Sequence, residues 1–373
     1  MEWKDVRLGD ILNFRRGHDL PHSAMKPGNI PVAGSNGVIG YHDTATPIKP
    51  ILTIGRSGNV GKPYFYEEAW AHNTTLYVDD FKGNDPKFLY YLCQTMPFAN
   101  FGGGSAVPTL NRNHIHPLET KIPVKVEDQH RISSILSSLD RKIELNNKIN
   151  ADLEEMAQAI FKNWFVDFEP FKDGKFVDSE LGMIPEGWKV GSPYEYVKVV
   201  YGAPYKSAKF NDDGEGLPLI RIRDLKDCKP QFYTPEILPQ TEYVNMGDIV
   251  AGMDAEFVPH IWKGKMGLLN QRVCKLIPQQ TSISNLFVLY LMKPELEFVQ
   301  SYKTGTTVSH LGKADIDKFV VVLPPLEVVE ECSKILDSIL QRIKNISAES
   351  RTLSLLRDTL LPRLMSGELE VPE

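Results

Sequence analysis

The chain repeats one apolar pattern after an interval of 200 residues. The steps within the pattern alternate between four and three residues, which is the apolar period of a coiled-coil seam. In the first copy the positions are Ile132, Leu136, Leu139, Ile143, Leu153, Ala157, Ile160 and Trp164. In the second copy they are Cys332, Leu336, Ile339, Ile343, Leu353, Arg357, Leu360 and Leu364. The pattern predicts two long helices, each with one apolar face to cover.

The residues before each helix also repeat. The matched pairs are Trp3 and Trp188, Gly17 and Gly202, Gly55 and Gly252, Asn73 and Asn270, Phe88 and Phe287, Tyr91 and Tyr290, Val107 and Val308, Leu110 and Leu311, and Pro123 and Pro324. A globular domain followed by a long helix therefore occurs twice. A period of this length indicates duplication, not a solenoid of short repeats. We expect a pseudo-two-fold molecule, which suits a target that is itself in two halves.

The predicted fold class is α+β, with two mostly-β domains separated by two long antiparallel helices that form an intramolecular coiled coil. The predicted domain ranges are 1–126 (first globular domain), 127–165 (central spacer helix), 166–185 (connector), 186–326 (second globular domain) and 327–373 (C-terminal spacer helix and tail). An alternative is that each helix packs only on its own globular domain. The absence of Pro and Gly from 127–165 and the matched pattern in both copies favour the paired helices.

Local patterns support a β-rich domain with one inserted helix. Residues 51–54 and 74–78 are strand-like runs bounded by Gly, Asn and Pro. A helix is predicted over 86–96, and its counterpart over 286–292 is expected to close at Pro294. In the central helix the seam becomes polar at Asn146 and Asn150, a feature that can fix the register of a helix pair at some cost in stability.

Composition is that of a water-soluble globular chain, with 42% apolar and 24% charged residues and a net charge of −6. No apolar run approaches the roughly 20 residues that span a bilayer, and the first residues lack the order of a signal peptide. The four cysteines occur singly, so a zinc or disulfide framework is not expected and a cytoplasmic location is.

The surplus negative charge lies in the predicted helices and connector. Residues 1–126 carry 13 basic and 11 acidic side chains, and 186–326 carry 16 of each. The net charges of 127–165, 166–185 and 327–373 are −2, −3 and −3. The charge of the globular domains thus permits DNA binding but is no evidence of it. Neutralisation of phosphates by basic side chains supplies most of the non-specific affinity for DNA. We therefore expect weak DNA binding by the chain alone.

Motifs that would indicate catalysis are absent or incomplete. Residues 58–62 superficially resemble a phosphate loop, but Pro63 stands where Ser or Thr is needed, so a turn is expected. His114 and His116 have the spacing of two metal ligands without a third nearby, which favours a loop or a DNA contact. No dinucleotide fingerprint and no adenine-methyltransferase loop is present. We expect no catalytic residue, no metal site and no cofactor on this chain.

Polar loop residues of the two globular domains are the positive functional signal, because their donors and acceptors match base edges and phosphates. The candidates in the first domain are Asn36, Arg56, Ser57, Asn59, Lys62, Asn73, Ser105, Thr109, Asn111, Arg112 and His114. Those in the second are Lys206, Arg221, Arg223, His260, Asn270, Gln271, Arg272, Lys303, Thr306, Thr307, Ser309, His310 and Lys313. For each, the alternative is a turn residue or a solvated strand face, and the matched Asn73 and Asn270 are candidates for framework or phosphate contacts.

Three segments resemble the specificity subunits of type I restriction–modification systems. The stretch LEEMAQAIFKNWFVDFEP at 153–170 is similar to the central region of that family. The stretch LGMIPEGW at 181–188 resembles the entry to its second target-recognition domain, and LLPRLMSGEL at 360–369 resembles its C-terminal signature. The organisation of the whole chain follows the same plan, with the two globular domains as target-recognition domains.

The resemblance implies a non-catalytic subunit that recognises double-stranded DNA with a split target. It implies two methyltransferase subunits that methylate adenine N6 with S-adenosylmethionine, and two restriction (motor-nuclease) subunits that use ATP and Mg. The aromatic residues Trp164, Phe165, Phe168 and Phe171 are candidates for the methyltransferase interface, or else they close the end of the helix pair. The rival function is a non-enzymatic coiled-coil adaptor that joins two binding modules without a DNA role.

Overall fold

The computed structural model of the protein describes residues 1–102, 109–303 and 310–372. The chain divides into two compact units, Met1–Ile143 with Thr352–Glu373, and Glu144–Arg351. Each unit therefore combines one globular part with one half of each long helix. The ranges predicted from the sequence separate the helices from the globular parts, and they stay predictions.

The first unit contains a mostly-β globular part. Its strands are β1 (Trp3–Arg7), β2 (Asn13–Arg16), β3 (Ile30–Gly34), β4 (Gly37–His42), β5 (Ile51–Gly55), β6 (Pro63–Tyr66), β7 (Trp70–Ala71), β8 (Thr75–Asp80) and β9 (Glu119–Pro123). They form sheets with the strand orders β2-β8-β5-β6, β4-β3-β7 and β1-β9. The predicted strand runs at 51–54 and 74–78 correspond to β5 and β8, whose apolar residues are buried.

The second unit repeats this arrangement. Its strands are β10 (Phe176–Val177), β11 (Ile184–Pro185), β12 (Lys189–Gly191), β13 (Val197–Tyr201), β14 (Leu217–Ile220), β15 (Phe232–Thr234), β16 (Tyr243–Val244), β17 (Ile249–Gly252), β18 (Pro259–Ile261), β19 (Gly267–Leu269), β20 (Val273–Pro278) and β21 (Val321–Leu323). The orders β13-β20-β17-β18 and β12-β21 match those of β2-β8-β5-β6 and β1-β9 in the first unit. The sheet β15-β14-β19-β16 matches β4-β3-β7 with one further strand, β16, and β10 pairs with β11. The duplication inferred from scattered sequence matches is thus also present in the strand orders.

The helices include two of 40 residues. The α-helices are α1 (Leu8–Ile11), α2 (Pro86–Thr95), α3 (Arg112–Ile115), α4 (Val126–Phe165), α5 (Asn285–Lys303), α6 (Lys313–Ile316) and α7 (Leu326–Met365). Short 3-10 helices occupy His22–Ala24, Phe98–Phe101, Glu169–Phe171, Pro193–Glu195, Ser207–Lys209 and Ile222–Asp224. None of the described helices is long and apolar enough to cross a membrane.

Helix α2 begins and ends where its sequence indicates. Asp85 caps it, accepting a hydrogen bond from the Phe88 amide at 2.6 Å, and Pro86 occupies the first turn, where no amide hydrogen is needed. Its apolar residues lie in the core of the first unit, so the predicted helix over 86–96 is confirmed.

The predicted end of the second-copy helix was wrong. Helix α5 continues through Pro294 to Lys303. Proline removes one backbone hydrogen bond and disfavours helix at this point. Leu296 and Val299 lie beyond it and are almost fully buried in the core of the second unit. Burial of these two side chains outweighs the local cost of the proline.

Each half of the long helices packs within its own unit. In the first unit, Ile132 and Leu136 of α4 share a core with Leu364 and Met365 of α7. In the second unit, Phe161 of α4 belongs to the core that also holds the start of α7. Both helices therefore contribute to the core of each unit, which differs from the alternative that each helix packs only on its own globular domain.

The two helices run in opposite directions where they meet in the second unit. Asn146 donates from Nδ2 to Oε2 of Glu349 at 2.8 Å, and Asn150 donates to Oγ of Ser347 at 3.0 Å. The residue number rises along α4 as it falls along α7. Both asparagines are buried, and the side-chain oxygen of each has no hydrogen-bond partner among the described residues. This polar layer replaces apolar packing with a few specific hydrogen bonds.

Candidate nucleic-acid interface

In the second unit, the candidate residues converge at the end of a parallel strand pair. Strands β14 and β19 run parallel and end at Ile220 and Leu269. The Asn270 amide donates to the Ile220 carbonyl at 3.2 Å, and the Gln271 amide donates to the Ala203 carbonyl at 3.0 Å. Three chain segments therefore meet here. They carry Lys206, Arg221, Arg223, Gln271 and Arg272, of which Arg221 is half-buried and the others are exposed.

The residues that follow β17, together with those at 310–311, lie at the same edge. The Met253 amide, just after β17, donates to the Arg272 carbonyl at 2.9 Å, and the Leu311 amide donates to the Met253 carbonyl at 2.7 Å. Asp254 and His310 face each other in an isolated β-bridge. Lys303 donates to the His310 carbonyl at 2.8 Å and to Asp315 at 2.6 Å. The cationic side chains at this edge are thus interleaved with carboxylates.

The first unit builds the same edge from equivalent contacts. The His72 amide donates to the Ala33 carbonyl at 3.0 Å, and the Arg56 amide donates to the Thr74 carbonyl at 2.8 Å. The Leu110 amide donates to the Arg56 carbonyl at 2.7 Å. Ser57 and Thr109 form the β-bridge that corresponds to the one in the second unit. These contacts bring together the segments that carry Arg56, Ser57, Asn73 and Thr109. Asn36 lies in the turn between β3 and β4, and Asn59 lies between β5 and β6.

These contacts correct one sequence match. Asn270 occupies the place of His72, not of Asn73, because its amide contacts the Ile220 carbonyl as His72 contacts Ala33. A side chain at Gly17 would strike the His72 carbonyl, and one at Gly202 would strike the Asn270 carbonyl. The sequence match aligned the two asparagines by identity, and it was off by one residue.

Several candidates take part in contacts within their own unit. Arg112 donates to the Phe14 carbonyl at 3.3 Å, Asn111 caps α3, and Asn73 donates to Asp19. Lys62 lies over the Tyr64 ring, and Arg221 lies 5.2 Å from the centre of the Phe232 ring. His114 and Lys313 are exposed on the short helices α3 and α6.

His260 is placed apart from the other candidates of its unit. It lies opposite Val250 on β18, next to Glu256, instead of at the end of a strand. Burial lowers the pKa of this imidazole. Ser105, Thr306, Thr307 and Ser309 lie outside the described residues, as do Val107 and Val308.

The motifs that were considered as catalytic or metal-binding sites have structural roles in the fold. Residues 58–61 form a turn, in which Gly58 and Gly61 have φ of 85° and 81° and the Gly61 amide donates to the Gly55 carbonyl. The expectation of a turn is confirmed. His116 accepts a hydrogen bond at Nε2 from the Phe14 amide at 3.1 Å, whereas His114 is exposed. Among the described residues, no group of three or more His, Cys, Asp and Glu side chains could hold a metal ion.

His116 is expected to make the stability of the first unit depend on pH. Burial and the positive charges of Arg112 and Lys82 lower the pKa of the His116 imidazole. Protonation at Nε2 would also remove the acceptor of the hydrogen bond from the Phe14 amide. The folded pKa therefore lies below the unfolded value of about 6.5. The stabilisation is fully present above that value and is lost as the pH falls through the folded pKa, since the unfolded chain then binds more protons.

The measurement is the free energy of unfolding between about pH 7.5 and 5.5. We expect His116→Gln, which keeps an acceptor near the Nε2 position, to flatten the decline with falling pH. His114→Gln is the matched control, since His114 is exposed two residues away. An unchanged pH dependence in His116→Gln would contradict the assignment.

The aromatic candidates at the end of α4 pack within the second unit. Phe165 is buried against Phe287 and Trp188, and Phe168 and Phe171 both contact the Trp188 ring edge-on. Trp164, which contacts Phe171, remains half-buried. The cluster therefore has a packing role, and its contact with a partner stays a prediction.

Sequence reasoning missed Asp254, which contacts two of the candidates. Arg272 donates to it at 2.8 Å, and His310 Nδ1 lies 2.7 Å away. The matched Gly55 and Gly252 could have located it, because they place Asp254 at the position of the candidate Ser57. It was not among the candidates, which were basic, amide, hydroxyl and imidazole side chains.

Comparison with known proteins identifies the family to which the chain belongs. The family described as type I restriction modification DNA specificity domain matches residues 1–155 and again residues 185–353. The chain belongs to this family. Its two matches cover the two copies that the sequence and the strand orders revealed.

Individual members of the specificity-domain family are similar over most of their length. The type I restriction enzyme MjaIX specificity subunit of Methanocaldococcus jannaschii is 29% identical over 77% of this chain and 70% of its own. The HindI specificity subunit of Haemophilus influenzae is 25% identical over 98% of this chain and 94% of its own. The crystal structure of the type I restriction-modification S subunit from M. genitalium has a TM-score of 0.58 at 15% identity, covering 98% and 96% of the two chains, and it supports the fold.

Proposed function

We propose that this chain is the DNA sequence-specificity subunit of a type I restriction–modification complex. It recognises a bipartite double-stranded target and directs adenine-N6 methylation or restriction by partner subunits. The observation that carries this proposal is the double family match. Each matched copy contributes one edge at which polar and basic loop residues converge.

Each edge has the chemistry required for reading DNA. Exposed arginine, lysine, asparagine and glutamine side chains supply donors and acceptors for base edges, and the lysines and arginines also suit phosphates. The rival function, an adaptor without a DNA role, gives no reason for two such edges and is not favoured by the family match. Which of the candidates contact bases, and which contact phosphates, is part of the proposal.

The finer architecture also belongs to the proposal. Helices α4 and α7 form an intramolecular antiparallel coiled coil that serves as a spacer between target-recognition domains 1–126 and 186–326. The opposite chain directions at Asn146 and Asn150 support this pairing. The apolar seam of both helices supports it as well.

The chain itself is proposed to be non-catalytic, with the chemistry on its partners. Two methyltransferase subunits use S-adenosylmethionine, and two motor-nuclease subunits use ATP and Mg, in the cytoplasm. The cluster of Trp164, Phe165, Phe168 and Phe171 is a candidate part of the methyltransferase interface. Its half-buried members leave some aromatic surface available for that contact.

Exchange of one domain tests the proposal. Residues 1–126 are replaced by the equivalent part of the HindI subunit, and the chimera is expressed with the methyltransferase subunit that normally accompanies this chain. We expect one half of the methylated target to change and the other half to remain, because each edge lies within one copy. Mapping of methylated adenines across a genome measures both halves.

The reciprocal exchange of residues 186–326 is the matched control and should change only the other half. Simultaneous change of both halves by either exchange would contradict one reader per half. Methylation without any sequence preference in the wild-type complex would contradict the specificity function altogether.

A further inference from the structure

Asp254 lies on a rigid part of the edge in the second unit. It follows β17 by two residues, and the preceding Met253 is held through both its amide, which donates to the Arg272 carbonyl, and its carbonyl, which accepts from the Leu311 amide. The Glu256 amide donates to the Asp254 carbonyl at 2.7 Å, across Ala255 in the left-handed region with φ of 61°. The position of the carboxylate is therefore fixed by the main chain.

The carboxylate contacts two exposed side chains, one through each oxygen. Oδ2 accepts from Nη1 of Arg272 at 2.8 Å, and Oδ1 lies 2.7 Å from Nδ1 of His310. The Asp254 side chain is only 20% exposed, whereas Arg272 is 66% and His310 is 57% exposed. Asp254 is therefore half-buried, whereas the two side chains that it contacts are exposed.

The contact leaves Arg272 able to bind something else. Guanidinium has five N–H donors, and Asp254 takes one of them in the described part of the chain. An arginine that offers two parallel donors to O6 and N7 of guanine is the commonest specific contact in the major groove. Holding the arginine in one orientation lowers the conformational cost of that contact.

A carboxylate at a DNA-binding edge also has a cost, since it repels phosphate and lowers non-specific affinity. The first unit has Ser57 at the same place, bridged to Thr109 as Asp254 is bridged to His310. The fold therefore does not require a carboxylate here. Its presence in one copy and not in the other indicates a role in what the second copy reads.

We propose that Asp254 is a positioning residue that fixes Arg272 and His310 for base recognition in one half of the target. This inference rests on the proposed function and names a specificity determinant within it. Asp254 does not contact the base itself. It acts through Arg272, which the structure leaves exposed at the same edge.

The test is Asp254→Asn in the complete complex with its methyltransferase subunit. Base preference is measured by selection from DNA in which each half of the target is randomised separately. We expect preference at one position of the second half to relax roughly 10-fold, the scale of one bidentate contact. The first half should keep its preference. Asp213→Asn, an exposed acid in the same unit, is the matched control with the same charge change and should alter neither half.

A double-substitution cycle separates positioning from a general effect. Arg272→Ala should relax the same position as Asp254→Asn, and the double variant should add little to either. If Asp254→Asn does not fold, Asp254→Ser replaces it, because serine occupies this place in the first unit. Unchanged preference, or equal loss in both halves, would overturn the inference. A wild-type complex without preference in either half would overturn the proposed function instead.

Discussion

Deleting residues 143–149 from α4 together with residues 348–354 from α7 is expected to shorten the central spacer of the recognised target. Seven residues of helix correspond to roughly 10 Å, or about 3 base pairs of DNA. Seven residues also keep the apolar seam in phase. The chosen deletions retain the contacts of Asp140 with Arg357 and of Asn150 with Ser347.

The result is measured by mapping the methylated sites of the shortened complex. We expect the same two half-sites with a shorter gap, and less methylation overall. A change of 3 base pairs rotates one half-site by roughly 100° around the duplex, given about 10 base pairs per turn. The shortened helix pair must twist to accommodate that rotation, or the complex loses affinity for the DNA.

Removal of residues 143–149 alone is the control. It shifts α4 against α7, so the contacts of Asp140 with Arg357 and of Asn150 with Ser347 cannot both form, and assembly should fail. Recovery of sites with an unchanged gap from the matched deletion would contradict the role of the helices as a ruler.

The sequence predicts those features whose signal is repeated many times. The long helices have an apolar period sustained over several turns without proline or glycine through 127–165. The strand at 51–54 is a short apolar run between turns and is completely buried in β5. Such signals are strong because each buried residue adds to the same conclusion.

Features that depend on distant contacts are not predicted in the same way. Pro294 indicates a helix end locally, yet Leu296 and Val299 extend α5 because the core accommodates them. His72 and Asn270 occupy equivalent positions in the two copies, as their backbone hydrogen bonds show, whereas residue identity suggested Asn73 as the equivalent of Asn270. In both cases tertiary structure overrules a local signal.

The sequence predicted several of the polar residues that lie at the two candidate edges, but not the contacts that these residues make with one another. Arg56, Arg272 and His310 were chosen as polar loop residues, and the structure places each at an edge. Asp254 was not chosen, because the candidates were basic, amide, hydroxyl and imidazole side chains. The role proposed for Asp254 follows from its contacts with Arg272 and His310, which the sequence alone does not show.

The isolated chain is expected to bind its target weakly, and the methyltransferase subunit is expected to raise the affinity by orders of magnitude. Residues 1–126 and 186–326 carry net charges of +2 and 0, whereas 127–165 and 327–373 carry −2 and −3. Part of the positive charge at the second edge is already paired, since Asp254 holds Arg272 and Asp315 holds Lys303. These two side chains are therefore less available to neutralise phosphates.

Salt titration measures this directly, because the slope of log affinity against log salt counts neutralised phosphates at about 0.9 per phosphate. We expect a shallow slope for the isolated chain and a much steeper one for the complex. Neutralising exposed helix acids with Asp152→Asn, Glu155→Gln, Glu331→Gln and Asp337→Asn should strengthen binding by the isolated chain, if the helices repel DNA. Equal slopes for chain and complex would mean that this chain makes the phosphate contacts itself, and the dependence on a basic partner would be refuted.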